Sequence, residues 1–113
     1  MSLTTLLRRR TTDSPDQAIP REEPDWGRIA DVRMRQPAYV CGRVRSLRVQ
    51  PRANVPTLEC TLVDDSGGLT LVFLGRRDVP GIRLGTRMIV SGRAGSHHGK
   101  LAVLNPDYTL LGA

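Results

Sequence analysis

Aromatic residues and cysteine are scarce in this 113-residue chain: one Trp, one Phe, two Tyr and two Cys. Cys41 and Cys60 form no C-x-x-C pair and have no histidine at ligand spacing, which argues against a disulfide framework or a zinc site. Each lies in an apolar run and reads as a small buried hydrophobe in a reducing compartment, so the expected location is the cytoplasm. No stretch approaches the ~18–20 apolar residues that a membrane span needs. The opening Met1–Arg10 places its arginines after a very short apolar patch, the reverse of a secretory signal. Leu3, Leu6 and Leu7 in that patch would suit a weak contact with a surface or a partner. No phosphate-binding Gly-x-x-x-x-Gly-Lys run occurs, and no nucleophile, base and orienter can be assembled. The expectation is therefore a protein that binds rather than catalyses, with no catalytic residues, cofactor or metal.

What is present is positive charge. The formal net charge is +6. Residues 1–25 hold four arginines against five acids, whereas residues 26–113 hold thirteen Lys or Arg against six acids. Residues 11–25 lack apolar periodicity and contain three prolines, so 1–25 is expected to be a flexible or partly helical tail and 26–113 the folded domain. The basic part is thus the folded part, and a basic compact domain gathers polyanions, of which nucleic acid is the commonest.

Short apolar runs separated by Gly and Pro favour strands. From residue 38 one parity gives Ala38, Val40, Gly42, Val44 and Ser46, while the other gives Tyr39, Cys41, Arg43, Arg45 and Leu47, the pattern of a half-buried strand over 38–47. Gly42 in mid-strand implies a sharp bend or a close approach. A proline-bearing loop over 48–56 precedes a strand at 57–63, with Leu58, Cys60 and Leu62 on one face. Asp64-Asp-Ser-Gly-Gly68 reads as a tight turn. Strands at 69–74 and 87–94 flank a basic connection whose Ile82 and Leu84 are expected to plug one end of a barrel. After a turn at 95–99, a fifth strand runs from Lys100 past Pro106 to Leu111. Ile29, Val32 and Trp26 would close against the assembly. Five strands with this rhythm of connections predict an all-β, five-stranded Greek-key OB-fold barrel, with an SH3-like barrel as the alternative.

The runs Val40–Val44, Leu62–Phe73, Leu84–Gly92 and Asn105-Pro106 resemble the OB domain of tRNA-anticodon-type binders, and especially the wedge domain of the RecG helicase. Pro51–Pro56, Phe73–Arg77 and Pro80–Ile82 resemble a family of small stand-alone actinobacterial OB proteins. The likeness covers about residues 28–113. It implies an OB fold and nucleic-acid binding, in a DNA-repair or recombination setting. Phe73 stands where that family often has Trp, and no helicase motor accompanies the wedge-like part.

OB barrels bind on the face of their second and third strands, framed by the loops after strands one and four. That places Arg48 and Arg52 in one loop and His97, His98 and Lys100 in the other, with Arg43 and Arg45 extending the stripe, Arg76 and Arg77 after the third strand, and Arg93 on the fourth. Tyr39 is the aromatic placed to stack on a base, while Phe73 is expected in the core. The expected partner is single-stranded or branched DNA, or RNA, held mainly through backbone phosphates. His97 and His98 are read as two loop residues pointing apart, and Asp64 and Asp65 as turn formers. The alternative function is a protein-interaction adaptor presenting Val63, Val72 and Leu74, or the leucine-bearing tail. A monomer or weak homodimer is expected, with no membrane association.

Overall fold

The computed structural model describes residues 26–52 and 54–112. The expected tail and its Leu3, Leu6 and Leu7 lie outside the described residues. Six strands follow a short 3-10 turn at Ile29–Asp31: β1 (Pro37–Arg52), β2 (Val55–Val63), β3 (Gly68–Leu74), β4 (Arg87–His97), β5 (Lys100–Leu104) and β6 (Asp107–Gly112). They pair in the order β1-β2-β3-β5-β4-β6, and an additional β1–β4 pairing joins the two ends of the first five into a ring. Every neighbouring pair is antiparallel except β3–β5, which is parallel. No helix among the described residues is long and apolar enough to cross a membrane.

One long strand makes the closure possible. The first half of β1 pairs with β4, from Pro37↔Arg93 to Arg43↔Arg87. Its second half pairs with β2, and a register shift between Val44 and Ser46 marks the changeover. A Cβ on Gly42 would stand 2.5 Å from the Val63 carbonyl oxygen and 2.9 Å from Leu62 Cγ. Only a residue without a side chain lets β1 bend this tightly onto β2, as the mid-strand glycine predicts.

The expected parities hold in β2, in β3 and in β1 as far as Val44, except that Cys41 is buried too; beyond the register shift the faces of β1 exchange, so Ser46 turns outward and Leu47 packs on the core. Ala38, Val40 and Val44, then Leu58, Cys60 and Leu62, then Leu69, Leu71 and Phe73 are buried and meet in one central cluster. Ile29 and Val32 complete that cluster from the 3-10 turn, and Val79 and Ile82 from the β3–β4 connection. Asp64 ties the 3-10 turn in place. Its Oδ1 accepts from the Ser66 and Gly67 amides at 2.7 and 3.0 Å, and its Oδ2 accepts from the Ile29 amide at 2.9 Å.

Four expectations need correction. The segment 48–52 is not loop but the outer end of β1, which turns directly into β2. Its prolines are tolerated because Pro51 faces Pro56, one step before the closing pair Arg52↔Val55, where an antiparallel ladder needs no amide hydrogen. β4 continues through His97, leaving only His98 and Gly99 as the turn. The expected fifth strand is two strands: the chain breaks at Asn105-Pro106, and β6 crosses to the other side of β4. Leu84 is 67% exposed, so Ile82 alone enters the interior; the Thr86 amide donates to the Arg83 carbonyl and turns Leu84 outward.

Candidate functional site

Side chains that face away from the core on β1, β2 and β3 line a groove. Register places Arg48 beside Glu59, Ser46 beside Thr61, and Thr61 beside Thr70. Val72 and Ala102 are fully buried yet stand outside the central cluster. Lys100 and the β4–β5 turn overhang the groove. It comprises two adjoining hollows of about 260 and about 320 Å³, which share Arg48, Glu59, Thr70 and Lys100.

Glu59 is the polar centre of the groove. Its Oε2 lies 3.0 Å from Nε2 of His97, and its Oε1 lies 3.7 Å from the Arg48 guanidinium. An ionised carboxylate only accepts, so Nε2 carries the proton and donates it. This hydrogen bond is the largest influence on Glu59. Burial pushes the other way, the charges of His97, Arg48 and His98 reinforce the bond, and the carboxyl is held below its ordinary value of 4.5. The His97 side chain is 4% exposed and that of Glu59 13%, which makes this a half-sequestered pair rather than a solvated surface contact. Gln50, with its amide turned to donate to Glu59 Oε2 and accept from Arg48, closes one flank.

His97 and His98 do not point apart. Their ring centroids are 4.3 Å from one another, at an interplanar angle of 64°. Alternation applies only to extended backbone, whereas His98 has φ 53 and Gly99 φ 76 in a two-residue turn that curls the second ring back beside the first. The donor atoms of Glu59, His97 and His98 all fall within 4.8 Å of each other. Glu59 had no local signal in the sequence. It is 38 residues from His97, and only the ring of strands brings them together.

The remaining expected site residues disperse. Arg43 donates to the Gly85 carbonyl at 3.0 Å and lines a separate cleft of about 430 Å³ with Trp26, Cys41, Asp64, Asp65 and Arg87. Arg45 is exposed in the bulge of β1. Tyr39, 45% exposed, lies on the β1–β4 side, where Arg93 donates to the Arg35 carbonyl. Arg76 and Arg77 are exposed just after β3, next to Gly75, whose amide donates to Pro56. Arg48 projects from a strand rather than a loop, and the side chain of Arg52 lies outside the described residues. The apolar patch expected on this face does not form: Val72 is buried, Val63 half-buried, and Leu74 alone is 41% exposed. Phe73 is core, and meets Tyr108 edge-on at 6.0 Å and 88°.

No protein-family model matches the chain, and no curated protein matches it.

Proposed function

We propose that the protein is a non-catalytic nucleic-acid-binding module of OB-fold type that holds DNA or RNA through backbone phosphates in the groove between β1 and the β4–β5 turn. The strand ring β1-β2-β3-β5-β4-β1, with its one parallel pairing, favours the OB-fold barrel over the SH3-like alternative, and β6 is then an addition alongside β4. The observation that carries the reading is a convergence of two cations and two imidazoles: Arg48 and Lys100, with His97 and His98, come from three strands and a turn and line one groove around Glu59. OB folds bind on that face, and a guanidinium and an ammonium across a hollow match successive phosphates. Only Tyr39 is exposed among the aromatics and it stands elsewhere, so backbone contact dominates over base stacking.

The test is fluorescence polarisation of labelled single-stranded DNA, duplex DNA and RNA at several salt concentrations. The Arg48→Ala/Lys100→Ala variant should lower the slope of log affinity against log salt by about one to two, one for each lost phosphate contact. Identical isotherms for the variant and the parent would remove the groove from the interface. A protein-interaction reading rests on a different surface. Among the described residues β6 pairs only with β4, so no described strand covers its outer edge, and Leu110 and Leu111 on it are 41% and 40% exposed. Under that reading Leu110→Lys would abolish partner binding and leave the polarisation titration unaltered.

A further inference from the structure

We infer that Glu59, His97 and His98 together form a binding site for a divalent transition-metal ion of the zinc type. Two imidazoles and a carboxylate are the donor set such an ion takes when it keeps a fourth position open. The three side chains offer donor atoms that all lie within 4.8 Å of one another. The 3.0 Å separation of His97 Nε2 and Glu59 Oε2 is close to the ~3.3 Å expected between two ligands of a tetrahedral ion with bonds of ~2.0–2.1 Å. Replacing the shared proton by the ion therefore moves these two atoms by only a few tenths of an ångström, and His98 closes the set by rotating its ring.

The supports are rigid. Glu59 sits within β2 between paired neighbours, and His97 ends β4 opposite Lys100. His98 occupies the first position of a two-residue turn at φ 53, where Gly or Asn is the usual choice. A histidine there costs some backbone strain and places an imidazole within reach of the other two donors. The cations nearby set the limits of the site. Arg48 approaches Glu59 through Oε1, whereas Oε2 faces His97 and the Gln50 amide, which must yield to an ion there, and Lys100 borders the same hollow. Both weaken attraction for a cation, and both suit an anionic oxygen as fourth ligand on the groove side. Ligation through Nε2 needs that nitrogen bare, so the proton it shares with Glu59 must leave that atom when the ion enters.

This inference is independent of the nucleic-acid reading, since it needs no polyanion. His97 and His98 are the only histidines of the chain, so full-length protein without a polyhistidine tag gives an unambiguous titration. Zinc chloride is titrated by calorimetry and cobalt chloride by visible absorption, alongside the melting temperature with and without metal. Wild type should bind one equivalent, show the visible bands of cobalt in a low-coordinate site, and melt higher with zinc. Glu59→Gln and His98→Gly should each weaken binding at least about tenfold. His98→Gly also relieves the left-handed turn residue, so its metal-free melting temperature should equal or exceed that of wild type while its response to zinc disappears. A wild type without saturable one-to-one binding, or undiminished binding in either variant, overturns the proposal.

Discussion

Asp64 shows how much one side chain can organise in a small sheet. It accepts from two amides and the hydroxyl of its own turn and from the Ile29 amide. Burial pushes its pKa up, but these hydrogen bonds outweigh it, and the carboxyl sits below its ordinary value of 3.8. A carboxyl lowered in the folded state adds stability that is present above the unfolded value and lost as pH falls through the folded one. Asp64→Asn should thus cost about 1–3 kcal/mol at neutral pH, with the gap to wild type narrowing below about pH 4 in urea titrations. Glu59 is lowered in the same sense and adds to the acid lability of the wild type. Gly42 is decided by sterics: Gly42→Ala meets the Val63 backbone, so a loss of about 1–3 kcal/mol is expected in thermal melts. Thr57 is fully buried, and its hydroxyl has no hydrogen-bond partner among the described residues. Thr57→Val should accordingly raise stability by about 1 kcal/mol, because an unpaired buried hydroxyl carries a desolvation cost.

At the scale of elements, the β1–β2 hairpin divides into two parts. Its inner pairs, such as Val44↔Leu62 and Leu47↔Cys60, carry side chains that are buried or, for Leu47, half-buried against the core. Its outer end carries Val49 and Val55, which are 44% and 45% exposed. Hydrogen bonds without buried cover open locally, so the amides of Gln50, Arg52 and Val55 should exchange well before those of Val40 and Leu62. Uniform protection along the hairpin would mean that another surface covers it. β6 is the converse: an edge strand anchored by one aromatic, Tyr108, against Phe73. Tyr108→Ala should cost about 2 kcal/mol, since Tyr108 is only half-buried and the edge-on contact adds ~0.5–1.5 kcal/mol to its burial.

For the whole molecule, closure of the sheet shields both thiols. Burial pushes Cys60 up to about 12, and it also raises Cys41 although the neighbouring Arg87 opposes it. Cys60, inside the ring and fully buried, should react with alkylating reagents only as fast as the entire domain unfolds. A rate independent of denaturant would place that thiol on a local opening instead. The positive charge of the described residues is spread over several faces rather than gathered on one, with Arg43, Arg93 and Arg83 held by nearby carbonyl or carboxylate oxygens. Only part of the cationic stripe read from the sequence therefore reaches the groove.

Local chemistry made much of this legible in the chain itself. Alternation picks out the inward faces of β2, β3 and β1 as far as Val44, the glycine at 42 announces the bend, and Asp-Asp-Ser-Gly-Gly marks the turn, because side-chain period and turn geometry are properties of neighbouring residues; the register shift that exchanges Ser46 and Leu47 is not. Extent and partnership were another matter. The proline-flanked outer end of β1 looked like a loop, since only facing Pro51 and Pro56 across the ladder shows that neither amide is needed there. The break that sends β6 to the far side of β4, the scattering of the arginines, and the meeting of Glu59 with His97 and His98 are decided by which strands lie side by side. That is set by closure of the ring around a shared apolar core, over separations such as the 38 residues between Glu59 and His97.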